Sequence, residues 1–155
     1  MMKRLAILAA TGCILAAQAQ KTCSPADMQK AQKAVDLVLT WQGLNKAWKD
    51  WRQCDTGEVA DTFTDAMLRL MVDWKNVDIL AEGMKDADYK AFIEAHLRSP
   101  AAKDDLAMIR SRATQSCPKG QDPVCKTLAA ATETAKPLDL SPMAPIPTIP
   151  TGSPK

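Results

Sequence analysis

The stretch TWQGLNKAWKDWRQC, residues 40–54, carries three of the chain's four tryptophans, and its reading decides the fold. Either Trp41, Trp48 and Trp51 form an exposed aromatic patch that grips a ligand, or they are the inside of a small domain. On a helix Leu44, Trp48 and Trp51 stand at i, i+4 and i+7 and share one face, while Lys46, Lys49, Asp50 and Arg52 take the others. A chain with only two phenylalanines and one tyrosine needs such side chains for its core, because burying one large aromatic contributes roughly 2–3 kcal/mol. The stripe therefore reads as core, with Trp41 and Trp51 expected to show an edge. The spacing predicts a short helix from Asn45 to Gln53.

Helical periodicity continues outward from this segment, and no stretch alternates with the period of two that a half-buried strand requires. The expectation is an all-α, compact, disulfide-bonded bundle of five to six helices. Upstream, Ser24-Pro25-Ala26-Asp27 combines an N-cap serine, a first-position proline and an early acid. Met28, Ala31, Val35 and Val38 follow as its apolar stripe, with Gly43 as a natural stop. Downstream, Asp55-Thr56-Gly57-Glu58 has capping-box spacing and precedes the stripe Val59, Phe63, Ala66, Met67, Leu70, Met71 and Trp74. Gly83 marks a break. A fourth helix carries Tyr89, Phe92, Ile93 and Leu97, and a fifth, started by Ser99-Pro100, aligns Ala102, Leu106, Ile109, Ala113 and Cys117. Asp122-Pro123 opens a last short helix through Cys125, Leu128 and Ala131.

The two ends of the chain differ in kind from this middle. Residues 1–19 have a cationic start at Lys3 and Arg4, an apolar run from Leu5 to Ala17 and the small-x-small step Ala17-Gln18-Ala19, the pattern of a cleaved secretory signal. A competing reading takes Ala-Thr-Gly-Cys as a lipoprotein box acylated at Cys13. From Pro137 onward six of the ten prolines crowd into residues 137–155, a density that no helix tolerates and that suits a flexible tail. Residues 20–136 are then one helical domain, bound for the periplasm or the exterior. No later stretch is long and uncharged enough for a membrane span.

Loss of Lys3 and Arg4 with the signal takes the 20 basic residues to 18, matching the 18 acids. A neutral domain is not built for phosphate backbones or a membrane surface, so neither nucleic acid nor lipid is expected as partner. The signal also removes Cys13, leaving Cys23, Cys54, Cys117 and Cys125. Four cysteines in an exported chain suggest two disulfides, for which three connectivities are open. The pairing Cys23–Cys54 would join the start of one helix to the end of its antiparallel neighbour, and Cys117–Cys125 would clip a short turn. A zinc site is disfavoured because the cysteines lack C-x-x-C spacing.

Candidate chemistry is sparse. His96, the single histidine, has no recognisable partner motif and reads as a capped or partly exposed structural residue rather than a general base. With no phosphate loop, no H-E-x-x-H and no G-x-S-x-G, neither an enzyme nor a cofactor is expected. The polar face of the third helix, Glu58, Asp61, Asp65 and Arg69, is the candidate partner-binding surface, with Asp73 beyond it and Asp65 and Arg69 placed to pair at i,i+4.

Residues 88–118, DYKAFIEAHLRSPAAKDDLAMIRSRATQSCP, set out a helix, a short turn with a histidine and a proline nearby, a second helix and a closing cysteine. In this the chain resembles the small four-cysteine helical immunity proteins of bacterial type VI secretion systems, which protect the periplasm by binding cell-wall amidases. It departs from that family in lacking a tyrosine–glycine step after the second cysteine and in placing a cysteine–proline pair at Cys117-Pro118. The resemblance implies a task, inhibition of a secreted toxin, and no binding residue is carried over from it. The other classes to weigh against this one are an envelope assembly accessory and an enzyme working through His96. The exported protein is expected to begin at Gln20 by intact-mass analysis, and a lipid-bearing species beginning at Cys13 would overturn that.

Overall fold

The computed structural model describes residues 22–99 and 103–135. The signal segment, Pro100, Ala102 and the proline-rich tail lie outside the described residues. Ser24 starts the first helix as expected, its Oγ accepting the Asp27 N–H at 3.1 Å. Among the described residues there are seven α-helices and no strand: α1 (Pro25–Asp36), α2 (Trp41–Trp51), α3 (Gly57–Asp73), α4 (Val77–Gly83), α5 (Ala87–Leu97), α6 (Lys103–Gln115) and α7 (Asp122–Thr134), with a single 3-10 turn at Arg52–Cys54.

Side-chain bonds between elements define the direction of each helix. Cys23–Cys54 joins the start of α1 to the turn before α3, and at the other end an Arg69 Nη donates to the Asp36 carbonyl at 3.3 Å. Helices α1 and α3 therefore descend side by side. Helix α2 climbs between them in sequence, beginning where Trp41 Nε1–H donates to the Lys75 carbonyl at 2.9 Å. Helix α5 rises against α3, with Phe92 on Phe63 and His96 on Thr64. Helix α6 descends on the far side of α3, its end fixed by Trp74 Nε1–H on the Ser116 carbonyl at 3.0 Å. Helix α7 returns along α6, where Arg110 Nε donates to Thr132 Oγ1 at 3.4 Å, and Cys117–Cys125 clips the turn between them. Helix α3 is thus flanked by α1 and α6 and backed by α5.

Both disulfides take the pairing expected from the sequence and join all four cysteines of the described residues. The tryptophan stripe is core: Leu44 and Trp48 are buried, together with Phe63, Met67, Met71, Tyr89, Ile93 and Leu97. Trp41, expected at the edge, is also buried, because its indole N–H is consumed by the Lys75 carbonyl. Met28 lies outside the core it was assigned to and is exposed.

Three local expectations are corrected. Gly43 does not stop a helix; it sits in the first turn of α2, and its N–H is capped by Thr40 Oγ1 at 3.1 Å. A threonine cap satisfies an orphan donor directly, which decides the start more strongly than a glycine decides an end. The capping box at Asp55–Glu58 does not form. Thr56 occupies the cap position with no side-chain bond, since the Asp55 carboxylate is drawn to His96 instead. Finally, α4 is an additional helix. Trp74 and Asn76 both adopt left-handed backbone, with φ of 55° and 53°, and break the chain between α3 and α4 without the glycine that such turns favour.

Phe63 is fully buried on the face where α3 meets α5. Phe63→Ala is expected to lower unfolding free energy by about 3–5 kcal/mol in urea titrations; an unchanged midpoint would contradict the core described here.

Candidate functional site

His96 is not partly exposed, as its sequence context suggested, but 6% exposed in the interior. Its Nε2 stands 3.1 Å from Asp55 Oδ2 and its Nδ1 2.8 Å from Thr64 Oγ1. An ionised carboxylate has no hydrogen to give, so Nε2–H donates to Asp55. The Thr64 hydroxyl donates to the Ala60 carbonyl one turn back at 3.0 Å, and the direction of its contact with Nδ1 follows the ring tautomer. Hydroxyl, imidazole and carboxylate thus stand in the order used for nucleophilic catalysis. Thr64, however, is only 8% exposed, and the imidazole lies against the rings of Phe92 and Phe63, at centroid distances of 4.4 and 6.1 Å. A nucleophile must be reachable by its substrate, whereas this cluster ties α5, α3 and the turn after Cys54 to one another. The partner that sequence reading missed, Asp55, is 41 residues from His96 and had been assigned to a helix cap.

The residues expected at a partner surface are all exposed on α3. Asp65 and Arg69 form the anticipated ion pair, and Arg69 also reaches the last carbonyl of α1. These two, with Leu68, Val72, Asp73, Asp105 and Arg112, line a shallow groove of about 520 Å³ where α3 lies against α6. Glu58 and Asp61 lie nearer the start of α3, outside the groove. The sequence did not point to Asp105 and Arg112, which become neighbours of α3 only through helix packing. It also passed over Leu37 and Leu39. The turn between α1 and α2 leaves them 77% and 81% exposed, immediately after the Asp36 carbonyl that Arg69 holds.

No group of three or more His, Cys, Asp or Glu among the described residues is arranged to hold a metal ion. No helix among them is long and apolar enough to cross a membrane. Comparison with family models, with curated proteins and with solved structures finds no match to this chain.

Removing the imidazole strands the Asp55 carboxylate and leaves a cavity beside Phe92. His96→Ala is expected to destabilise the fold by about 2–4 kcal/mol, read from thermal or urea unfolding. A variant as stable as the parent would show that this cluster does not hold the helices together.

Proposed function

We propose that this chain is an exported binding protein that captures a basic protein partner on its α3–α6 surface, and that the partner is a wall-degrading toxin neutralised in the periplasm. The observation that carries the reading is the pair Leu37 and Leu39, held out in solvent on a turn anchored by Arg69. Large apolar side chains flanked by fixed charges are the composition of a recognition surface, where apolar contact supplies affinity and charge supplies rate and selectivity. On α3 the acids Glu58, Asp61, Asp65 and Asp73 outnumber Arg69, so the favoured partner is cationic. The two disulfides and the buried aromatic cluster support rigidity, which lowers the entropy lost on binding. The resemblance of residues 88–118 to periplasmic immunity proteins supplies the class of partner.

A hydrolase reading rests on Thr64, His96 and Asp55, and the burial of Thr64 and His96 supports a packing role instead. Thr64→Val, which keeps the shape of the side chain, separates the two. The direct experiment co-expresses the chain with exported wall-degrading enzymes encoded beside it and measures capture and survival. Asp61→Lys with Asp65→Lys, and separately Leu37→Ser with Leu39→Ser, are each expected to reduce capture by about tenfold or more while leaving the fold intact. Undiminished capture by both variants would remove this surface, and loss of activity in a folded Thr64→Val protein would favour the enzyme.

A further inference from the structure

Both walls of the α3–α6 groove carry charges, but only one wall matches them internally. On α3, Asp65 pairs with Arg69 and Asp73 with Lys75. On α6, Asp105 and Arg112 have neither an ion pair nor a side-chain hydrogen bond among the described residues. They cannot satisfy each other, because seven residues of helix separate them by about 10 Å along the axis. Both are nevertheless half-buried in the groove, where reduced access of water makes an unmatched charge costlier than on an open surface. Between them on the same side of α6 stands Met108, a large apolar side chain left 42% exposed. Leu68 and Val72 of α3, partly buried, supply the apolar part of the groove itself.

The order of the charges selects the occupant. Helices α3 and α6 run in the same direction, their ends held together where Trp74 meets Ser116. On each helix the acid precedes the base, Asp65 before Arg69 and Asp105 before Arg112. Asp73 lies beyond Arg69 and is held by Lys75. The groove is therefore acidic toward the start of α6 and basic toward its end, and a complementary surface must carry the opposite polarity. A second α6 turned end for end does so. A two-fold axis produces that reversal and makes every contact twice, since where one residue meets another the second also meets the first. The midpoint of Asp105 and Arg112 falls beside Met108, so the axis would bring two methionines together between two acid–base contacts. Methionine and arginine are residue types enriched in such interfaces.

We infer that two copies of the chain pair through this groove about a two-fold axis, α6 lying antiparallel on α6, with Arg112 of each copy on Asp105 of the other and the two Met108 side chains packed at the centre. An interface this small and polar belongs with weak, reversible associations. It needs only the chain itself and does not depend on the capture proposed above. A protein partner seated in the same groove would displace the second copy.

The test is sedimentation velocity on the exported chain alone, with both disulfides formed. The parent is expected to pass from monomer to dimer mass with a dissociation constant on the order of tens of micromolar. Asp105→Arg sets two arginines at each contact, and Arg112→Asp sets two carboxylates, so each variant alone should dimerise about tenfold or more weakly. Mixed in equal amounts, the two variants regain an acid–base contact at both positions, and dimer should return to about the parent's level. Neither side chain has a bond within its own chain to lose, so both variants should melt with the parent. Met108→Glu, which places two carboxylates at the axis, should also stay monomeric and decides the matter if a charge variant fails to fold. The proposal is overturned if the parent remains monomeric at about 1 mM, if any of these folded variants alone dimerises as the parent does, or if the mixture of charge variants stays monomeric. A dimer lost instead in Leu37→Ser with Leu39→Ser, and kept in the α6 variants, would place self-association on the leucine turn and equally overturn it.

Discussion

Phe92, on α5, packs against four other rings in the interior. Phe63 of α3 approaches it edge-on at 5.3 Å, Tyr89 stacks at 5.7 Å, Trp48 of α2 lies at 5.9 Å and the His96 imidazole at 4.4 Å. Rings of this size dominate the burial energy of a small domain, and tilted or edge-on pairs add to it. The cluster also explains why polar groups are tolerated next to it. Packing of His96 against Phe92 fixes the imidazole, which in turn fixes Asp55. Asp55 follows Cys54 directly, so the histidine bond and the first disulfide hold the same corner of the bundle.

The disulfides act where aromatic packing is thin. Helix α1 buries only Ala31 and Val35 along its length and carries no aromatic side chain. Cys23–Cys54 ties its start across a sequence separation of 31, and Cys117–Cys125 closes a separation of 8 at the opposite end of the bundle. On a chain-entropy account these closures contribute about 3.5 and 2.5 kcal/mol. Two indole N–H bonds complete the second end. Trp41 holds Lys75 and Trp74 holds Ser116, so the left-handed turn between α3 and α4 is pinned from both sides, although neither Trp74 nor Asn76 is a glycine. Local backbone strain of this sort persists where the surroundings over-determine it.

A scaffold secured in this way can carry residues that folding does not require. Leu37 and Leu39 stand in solvent, and Asn45 and Tyr89 keep polar atoms in the interior. Both departures lie on parts of the structure held by the constraints above. The leucine turn follows the carbonyl that Arg69 grips, and Tyr89 belongs to the aromatic cluster itself. Each is a place where the sequence departs from the apolar-in, polar-out pattern that stability alone favours.

Helical class and the apolar faces of α3 and α5 were legible in the sequence because periodicity is local, and the two disulfide pairings were the expected choice among three connectivities because each joins segments that short helical connections bring close. The third-helix polar face was legible for the same reason. What the chain did not disclose arises from contacts across long separations. Asp55 looks like a cap residue until α5 brings His96 within 3.1 Å, and Gly43 looks like a stop until Thr40 caps it. Helix α4 was hidden because its boundary is a left-handed tryptophan, a conformation with no sequence signature, held by a carbonyl at the end of α6. Asp105 and Arg112 joined the α3 groove, and Asn45 met Tyr89, only through the packing of one helix on another. Composition and spacing determined which elements form and which faces they bury; tertiary packing alone decided which polar groups meet, since that depends on distances between elements that no local pattern encodes.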